Sequence, residues 1–139
     1  MRQVFHEISV PTHGKGLYAF TPQVRDRVRT SGIRQGLLTL YGRHTSASLL
    51  IQENLDPTVQ TDLERFLARL VPEGAPIFEH TLEGADDMPA HVRAALTQTY
   101  LAIPVADGHP MLGTWQGIYV FERRRGAQTR SVILHLLGE

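Results

Sequence analysis

The stretch EHTLEGADDMPAHVRAAL, residues 79–96, holds His80 and His91 eleven positions apart, with Glu83, Asp86 and Asp87 between them. A folded core has no use for so many titratable groups in one short span. Asp87 is placed to cap a following helix, its side chain accepting from a free backbone N–H. His91 then falls in the first turns, where the positive end of the helix dipole favours neutral imidazole. That form binds metals and accepts protons. His80 lies upstream, and Asp86 is left without a structural duty. The TLEGA loop could fold His80, Asp86 and His91 together. Scattered surface polar residues are the plain alternative, since two histidines at this separation match no recognised ligand spacing.

A second candidate is RHTSASLLIQEN, residues 43–54. On a strand, His44, Ser46 and Ser48 share one face while Thr45 and Ala47 point away. The Arg43 cation, an imidazole and the hydroxyls of Thr45 and Ser46 suit phosphate or carboxylate oxygens. The plain reading is a polar edge strand. No G-x-S-x-G elbow is present, so a serine nucleophile has no support. Glu53 and Asn54 precede the helix cap Asp56 and have no capping duty; at the end of a strand they would sit at a pocket mouth. GTWQG, residues 113–117, carries the only tryptophan. A lone strand Trp is ordinarily core. The flanking Gly113 and Gly117 permit close approach of a ligand, and Trp115 could stack on a flat heterocycle, with Gln116 reading its edge and Thr114 a further candidate substrate contact. His6 and His135 read as structural, His13 and His109 as solvated turns, and the three arginines 123–125 as an exposed hairpin tip.

These residues need positioning elements. Val4, His6, Ile8 and Val10 alternate as on a strand. Residues 21–31 read as a helix with Thr21 as cap, Pro22 at its first position and Gly32 as its stop. Residues 36–53 read as two strands broken near Gly42-Arg43, or one strand with a bulge. Asp56 and Pro57 open a helix over 57–70, where Val59, Leu63, Phe66, Leu67 and Leu70 form one apolar stripe. A further helix covers about 88–98. YLAIPV, MLGTWQGIYVFE and TRSVILHLL then read as an antiparallel meander. The order predicts a compact α+β domain over 1–139, with a largely antiparallel sheet and about three helices.

The 139 residues fit one domain. Fourteen basic and fourteen acidic residues give a formal net charge of +0, which argues against a nucleic-acid surface. Absence of cysteine rules out disulfides, thiolate catalysis and Cys-ligated zinc. No apolar run approaches the roughly 18 residues of a membrane helix, and the N-terminus lacks the apolar stretch of a signal peptide. A soluble, cytoplasmic protein with no membrane partner is expected.

Taken in order, HTSASLLIQENLDPTVQTDLERF, EHTLEGADDMPAHV, PVADGHPMLGTWQGI and the closing LLGE resemble the YjbQ family over nearly the whole chain. The resemblance implies a sandwich-like sheet, a homotrimer, and a site near subunit contacts built from His44, His80 and His91, with Glu53, Asn54 and Asp86 close by. It also implies a secondary thiamine-phosphate synthase activity, which joins a hydroxymethylpyrimidine diphosphate to a thiazole phosphate and expels pyrophosphate. Such a reaction asks for charge neutralisation by a divalent ion and cationic side chains. Glu53 and Asp86 would hold Mg²⁺, Arg43, Thr45 and Ser46 would contact phosphate, Trp115 would stack on the pyrimidine, and a histidine would act as acid. The three histidines would equally suit a transition metal such as Zn²⁺ in a hydrolase or lyase. A binding protein for a small phosphorylated metabolite is the third expectation. Where some members carry Gly-Thr-Ser, this chain has Gln98-Thr99-Tyr100.

Overall fold

The computed structural model describes residues 1–139. The elements run β1 (Arg2–His13), β2 (Gly16–Ala19), α1 (Thr21–Ser31), β3 (Gly36–Gly42), β4 (Ala47–Glu53), α2 (Pro57–Leu70), α3 (Asp87–Ala95), β5 (Tyr100–Ala106), β6 (His109–Pro110), β7 (Gln116–Glu122) and β8 (Ala127–Gly138). One sheet has the order β1-β8-β3-β5-β6 and the other β2-β7-β4, with every strand pair antiparallel. The α+β class and the antiparallel sheets are as the sequence predicts.

Alternation builds the core. Ile8 and Val10 of β1, Leu38 and Leu40 of β3, and Val132, Leu134 and Leu136 of β8 face inward. They meet Leu49 of β4 and Ile118 and Val120 of β7 from the second sheet, with Val24 and Val28 of α1 closing one side. Gly138 lets β8 close against the turn before β3: a Cβ there would lie 2.0 Å from the Gln35 carbonyl oxygen.

Four expectations are corrected. The C-terminal strands are not a meander: β5 pairs with β3 and β6, β7 with β2 and β4, and β8 with β1 and β3. β7 is buried on both faces from Gly117 to Glu122, so it must run as the centre of a sheet. Phe20, not Thr21, holds the cap position of α1; the Thr21 hydroxyl accepts instead from the Ile118 N–H at 2.9 Å. The apolar stripe of α2 is not all inward. Leu67 is buried, whereas Phe66 and Leu70 are 63% and 55% exposed. Finally, Asp87 starts α3 rather than capping it, the cap position Asp86 makes no side-chain cap bond, and the helix ends at Ala95.

Candidate metal and anion site

Residues 71–86 form a strap with no helix or strand. The strap delivers His80, and α3 delivers Asp87 and His91, which share a helix face at a spacing of four. One ligand-competent atom from each of His80, Asp87 and His91 lies within 4.8 Å of the others. The Asp87 Oδ2 atom is 2.8 Å from His80 Nε2 and 3.2 Å from His91 Nε2, and the two rings are 5.6 Å apart, edge to face. Asp87 is buried. Burial pushes its carboxyl up. The His80 hydrogen bond, the charges of His91 and Arg124 and the His91 hydrogen bond outweigh that and hold it below the usual range.

The turn between β7 and β8 braces these acids. Arg124 donates from Nη1 to Asp87 Oδ1 at 2.7 Å, from Nε to Asp86 Oδ2 at 3.0 Å, and from Nη2 to the Glu83 carbonyl at 2.9 Å. The Arg125 backbone N–H also donates to Asp86 Oδ2, at 2.9 Å. Burial pushes the Asp86 carboxyl up, and these bonds more than reverse that.

The tautomer of His91 follows from its neighbours. Nδ1 lies 2.9 Å from the Thr45 carbonyl oxygen. A carbonyl only accepts, so Nδ1 carries the proton. In the neutral ring Nε2 is then a bare lone pair aimed at a carboxylate oxygen. Two acceptors at that distance repel unless a positive centre, a proton or a metal ion, joins them. A ring N–H committed to a backbone carbonyl is also how metal-bound histidines are oriented.

Beside the cluster runs a groove of about 600 Å³. It is lined by Arg43, His44, Thr45, Ser46, Thr99 and Arg130. Under it, fully buried Glu122 accepts from Arg130 Nε at 2.6 Å and from the Thr12 hydroxyl at 2.5 Å. Arg130 Nη2 reaches the Ser46 hydroxyl at 3.1 Å. Burial pushes the Glu122 carboxyl up, and the Arg130 and Thr12 hydrogen bonds bring it below its usual range. His44 Nε2 accepts the Ser131 backbone N–H at 2.7 Å, so its proton sits on Nδ1. Burial and the Arg130 charge lower its pKa, against a smaller opposing effect of Glu122.

The structure thus joins His80 and His91 but corrects several expectations. His44 stands outside the ligand set: Ser131 takes its Nε2 lone pair, and Nδ1 faces the Arg130 guanidinium at 3.4 Å, a poor place for a cation. It shares only a cavity wall with His91. His44, Thr45 and Ser46 precede β4, so no strand alternation sets their directions. Asp86 is committed to Arg124 and Arg125, and Asp87 takes the role given to it. Glu53, Asn54 and Gly113–Gln116 lie elsewhere. Ala47 pairs with Glu122 and Glu53 with Gln116, so they sit at the far end of β4 and β7, about 20 Å away at some 3.3 Å per residue. There Glu53 accepts from the Asp56 N–H at 3.3 Å, Trp115 O accepts from the Asn54 N–H at 2.9 Å, and Gln116 Oε1 accepts from the Gly113 N–H at 2.8 Å. Trp115 is 56% exposed, not core. Of the arginines read as a hairpin tip, Arg123 is fully buried and Arg124 half-buried. Arg124, Arg130 and Glu122 escape sequence reasoning. The one signal for Arg124 was an acid pair, Asp86-Asp87, needing a partner.

A family model described as "UPF0047 protein YjbQ-like" matches residues 6–139. A UPF0047 protein of Synechocystis is 49% identical over 138 residues, 99% of this chain and 94% of that protein. The YjbQ protein of Salmonella typhimurium is 42% identical over 135 residues, 95% of this chain and 96% of that one. Among solved structures, a YbjQ-like protein of unknown function from Sulfolobus solfataricus has a TM-score of 0.89 at 24% identity, covering 99% of both chains, a likeness of fold. A conserved hypothetical protein of Thermus thermophilus has a TM-score of 0.85 at 34% identity, over 95% of this chain and 99% of that one.

Proposed function

The chain belongs to the YjbQ-like UPF0047 family, and we propose that it is a metal-dependent enzyme acting on a small phosphorylated substrate. The observation that carries this is His91: its Nδ1 proton is held by the Thr45 carbonyl while its Nε2 faces the Asp87 carboxylate. His80, Asp87 and His91 would hold the ion. Two imidazoles and one carboxylate suit Zn²⁺, Mn²⁺ or Fe²⁺ better than Mg²⁺. Such an ion, when bound, neutralises phosphoryl charge and lowers the pKa of water. The rest falls to the protein's own groups. Arg124 orients Asp87, and Thr45 fixes the His91 ring. Arg43, Arg130, the Nδ1–H of His44 and the hydroxyls of Thr45 and Ser46 bind and orient the anion. Glu122 keeps Arg130 in place.

Within this class, the candidate reaction is condensation of hydroxymethylpyrimidine diphosphate with thiazole phosphate. Departure of pyrophosphate suits a cationic groove beside a metal. Phosphoester hydrolysis is the alternative at the same residues. Purified protein should bind one equivalent of Zn²⁺ or Mn²⁺ by metal analysis, and His91→Ala should lose it along with either activity. A wild-type protein with no affinity for either ion defeats the proposal. Retained ligand binding with no turnover in either assay would instead make it a binding protein.

We further propose a cytoplasmic homotrimer. No helix is long and apolar enough to cross a membrane. Two dissimilar apolar patches lie uncovered on each chain. One is the outer sheet face with Phe5, Leu37, Tyr41 and Leu137; the other is the exposed face of α2 with Phe66 and Leu70. Two different patches are what a closed ring of head-to-tail contacts requires.

A further inference from the structure

We propose that a cavity beneath the strap is a subsite for a compact apolar group, so that the ligand is a phosphorylated molecule carrying an uncharged apolar substituent. This rests on the reading of the cluster above and assigns the second half of its substrate. The cavity measures about 360 Å³ and is walled by Ala75, Pro76, Phe78, Ala85, Met88 and Pro89. His80 is the only titratable side chain in its lining. Ligand pockets span about 300–1,000 Å³, so this one suits a small group.

The cavity touches the cluster at one point, the His80 ring. His80 belongs to its wall. His91 belongs, with His44 and Thr45, to the wall of a separate cavity of about 320 Å³, and the two rings are 5.6 Å apart. The cluster therefore borders two kinds of face. The first, reached from His91 past Thr45 and His44, carries Arg43, Arg130 and the hydroxyls of Thr45 and Ser46; the second, reached from His80, carries Phe78, Met88 and prolines. An inorganic anion would use the first face alone. A polar substituent entering the second would lose its hydration with only the Thr81 hydroxyl and the His80 ring in return, whereas an apolar one gains by leaving water. Met88, unbranched and polarizable, lets the wall adapt to the group's outline.

The test is calorimetric titration of Zn²⁺-loaded protein with methylphosphonate and benzylphosphonate, neither of which turns over. Benzylphosphonate is expected to bind tighter by about tenfold or more, from the apolar surface it buries. Ala85→Phe, which fills the cavity from the exposed strap, and Met88→Gln, which makes its wall polar at nearly constant shape, should each remove that difference. Both should leave methylphosphonate and Zn²⁺ affinity unchanged. Equal affinities in the wild type, or a preference that survives both substitutions, overturns the subsite and leaves the metal reading standing. Binding of Zn²⁺ but of neither phosphonate overturns the anion reading and the subsite with it. Failure to bind either Zn²⁺ or Mn²⁺ overturns the cluster itself.

Discussion

At the scale of single residues, a histidine's role is set by what its two nitrogens already do. Both His44 and His91 are anchored to backbone, but through opposite chemistry. His91 gives its proton to a carbonyl and leaves a lone pair toward Asp87. His44 spends its lone pair on the Ser131 N–H and keeps a proton to offer the groove. That difference separates a candidate ligand from a candidate anion donor, and it predicts a pH effect. The folded pKa of His44 is lowered by burial first and then by Arg130. The unfolded chain therefore binds the proton more readily. The stabilising contribution is present above the ordinary histidine value of about 6.5 and is lost as pH falls below it. Urea unfolding midpoints measured from about pH 7.5 to 5 should fall more steeply for wild type than for His44→Gln. Parallel slopes would show that the folded state does not disfavour the charged ring.

At the scale of elements, α2 and α3 differ in what their first acid does. Asp56 accepts the Thr58 N–H at 2.9 Å and the Thr58 hydroxyl at 2.7 Å, a cap with its duty complete. Asp87, one position into α3, has its oxygens divided among His80, His91 and Arg124. The sequence offers the same Asp-x-Pro or Asp-Pro opening in both places, so the capping rule places both helices without distinguishing these roles. The α2 stripe makes a second contrast. Leu67→Ala should cost about 2–5 kcal/mol, as for a buried leucine. Phe66→Ala, one residue away and 63% exposed, should leave the unfolding midpoint of isolated chains nearly unchanged. Equal losses for the two would mean that α2 sits rotated from the orientation described.

At the scale of the whole molecule, the outer face of the larger sheet aligns Leu137 across from Leu37 and from Gln3, with Phe5 stacked on His135 at 4.3 Å. An apolar face like this on a monomer is unusual. Leu37→Lys is expected to shift the mass measured by light scattering from trimer toward monomer, with the fold by circular dichroism unchanged. A wild-type protein that is monomeric at all concentrations would remove the trimer. Much of this was legible from the chain. Alternation along β1, the cap, proline and glycine signals of the three helices and the order of elements marked the α+β class, because those patterns are properties of neighbours in sequence. Motif order determined the family, and the acids crowded between His80 and His91 marked that stretch as worth joining. Only the tertiary structure decided which sheet β7 enters, because strand pairing depends on what is buried on both faces of a strand. It alone decided that Asp87, Arg124 and Arg130 surround the candidate site while His44 and Asp86 serve other partners. Hydrogen bonds between residues 37 to 86 positions apart leave no periodic trace in the sequence.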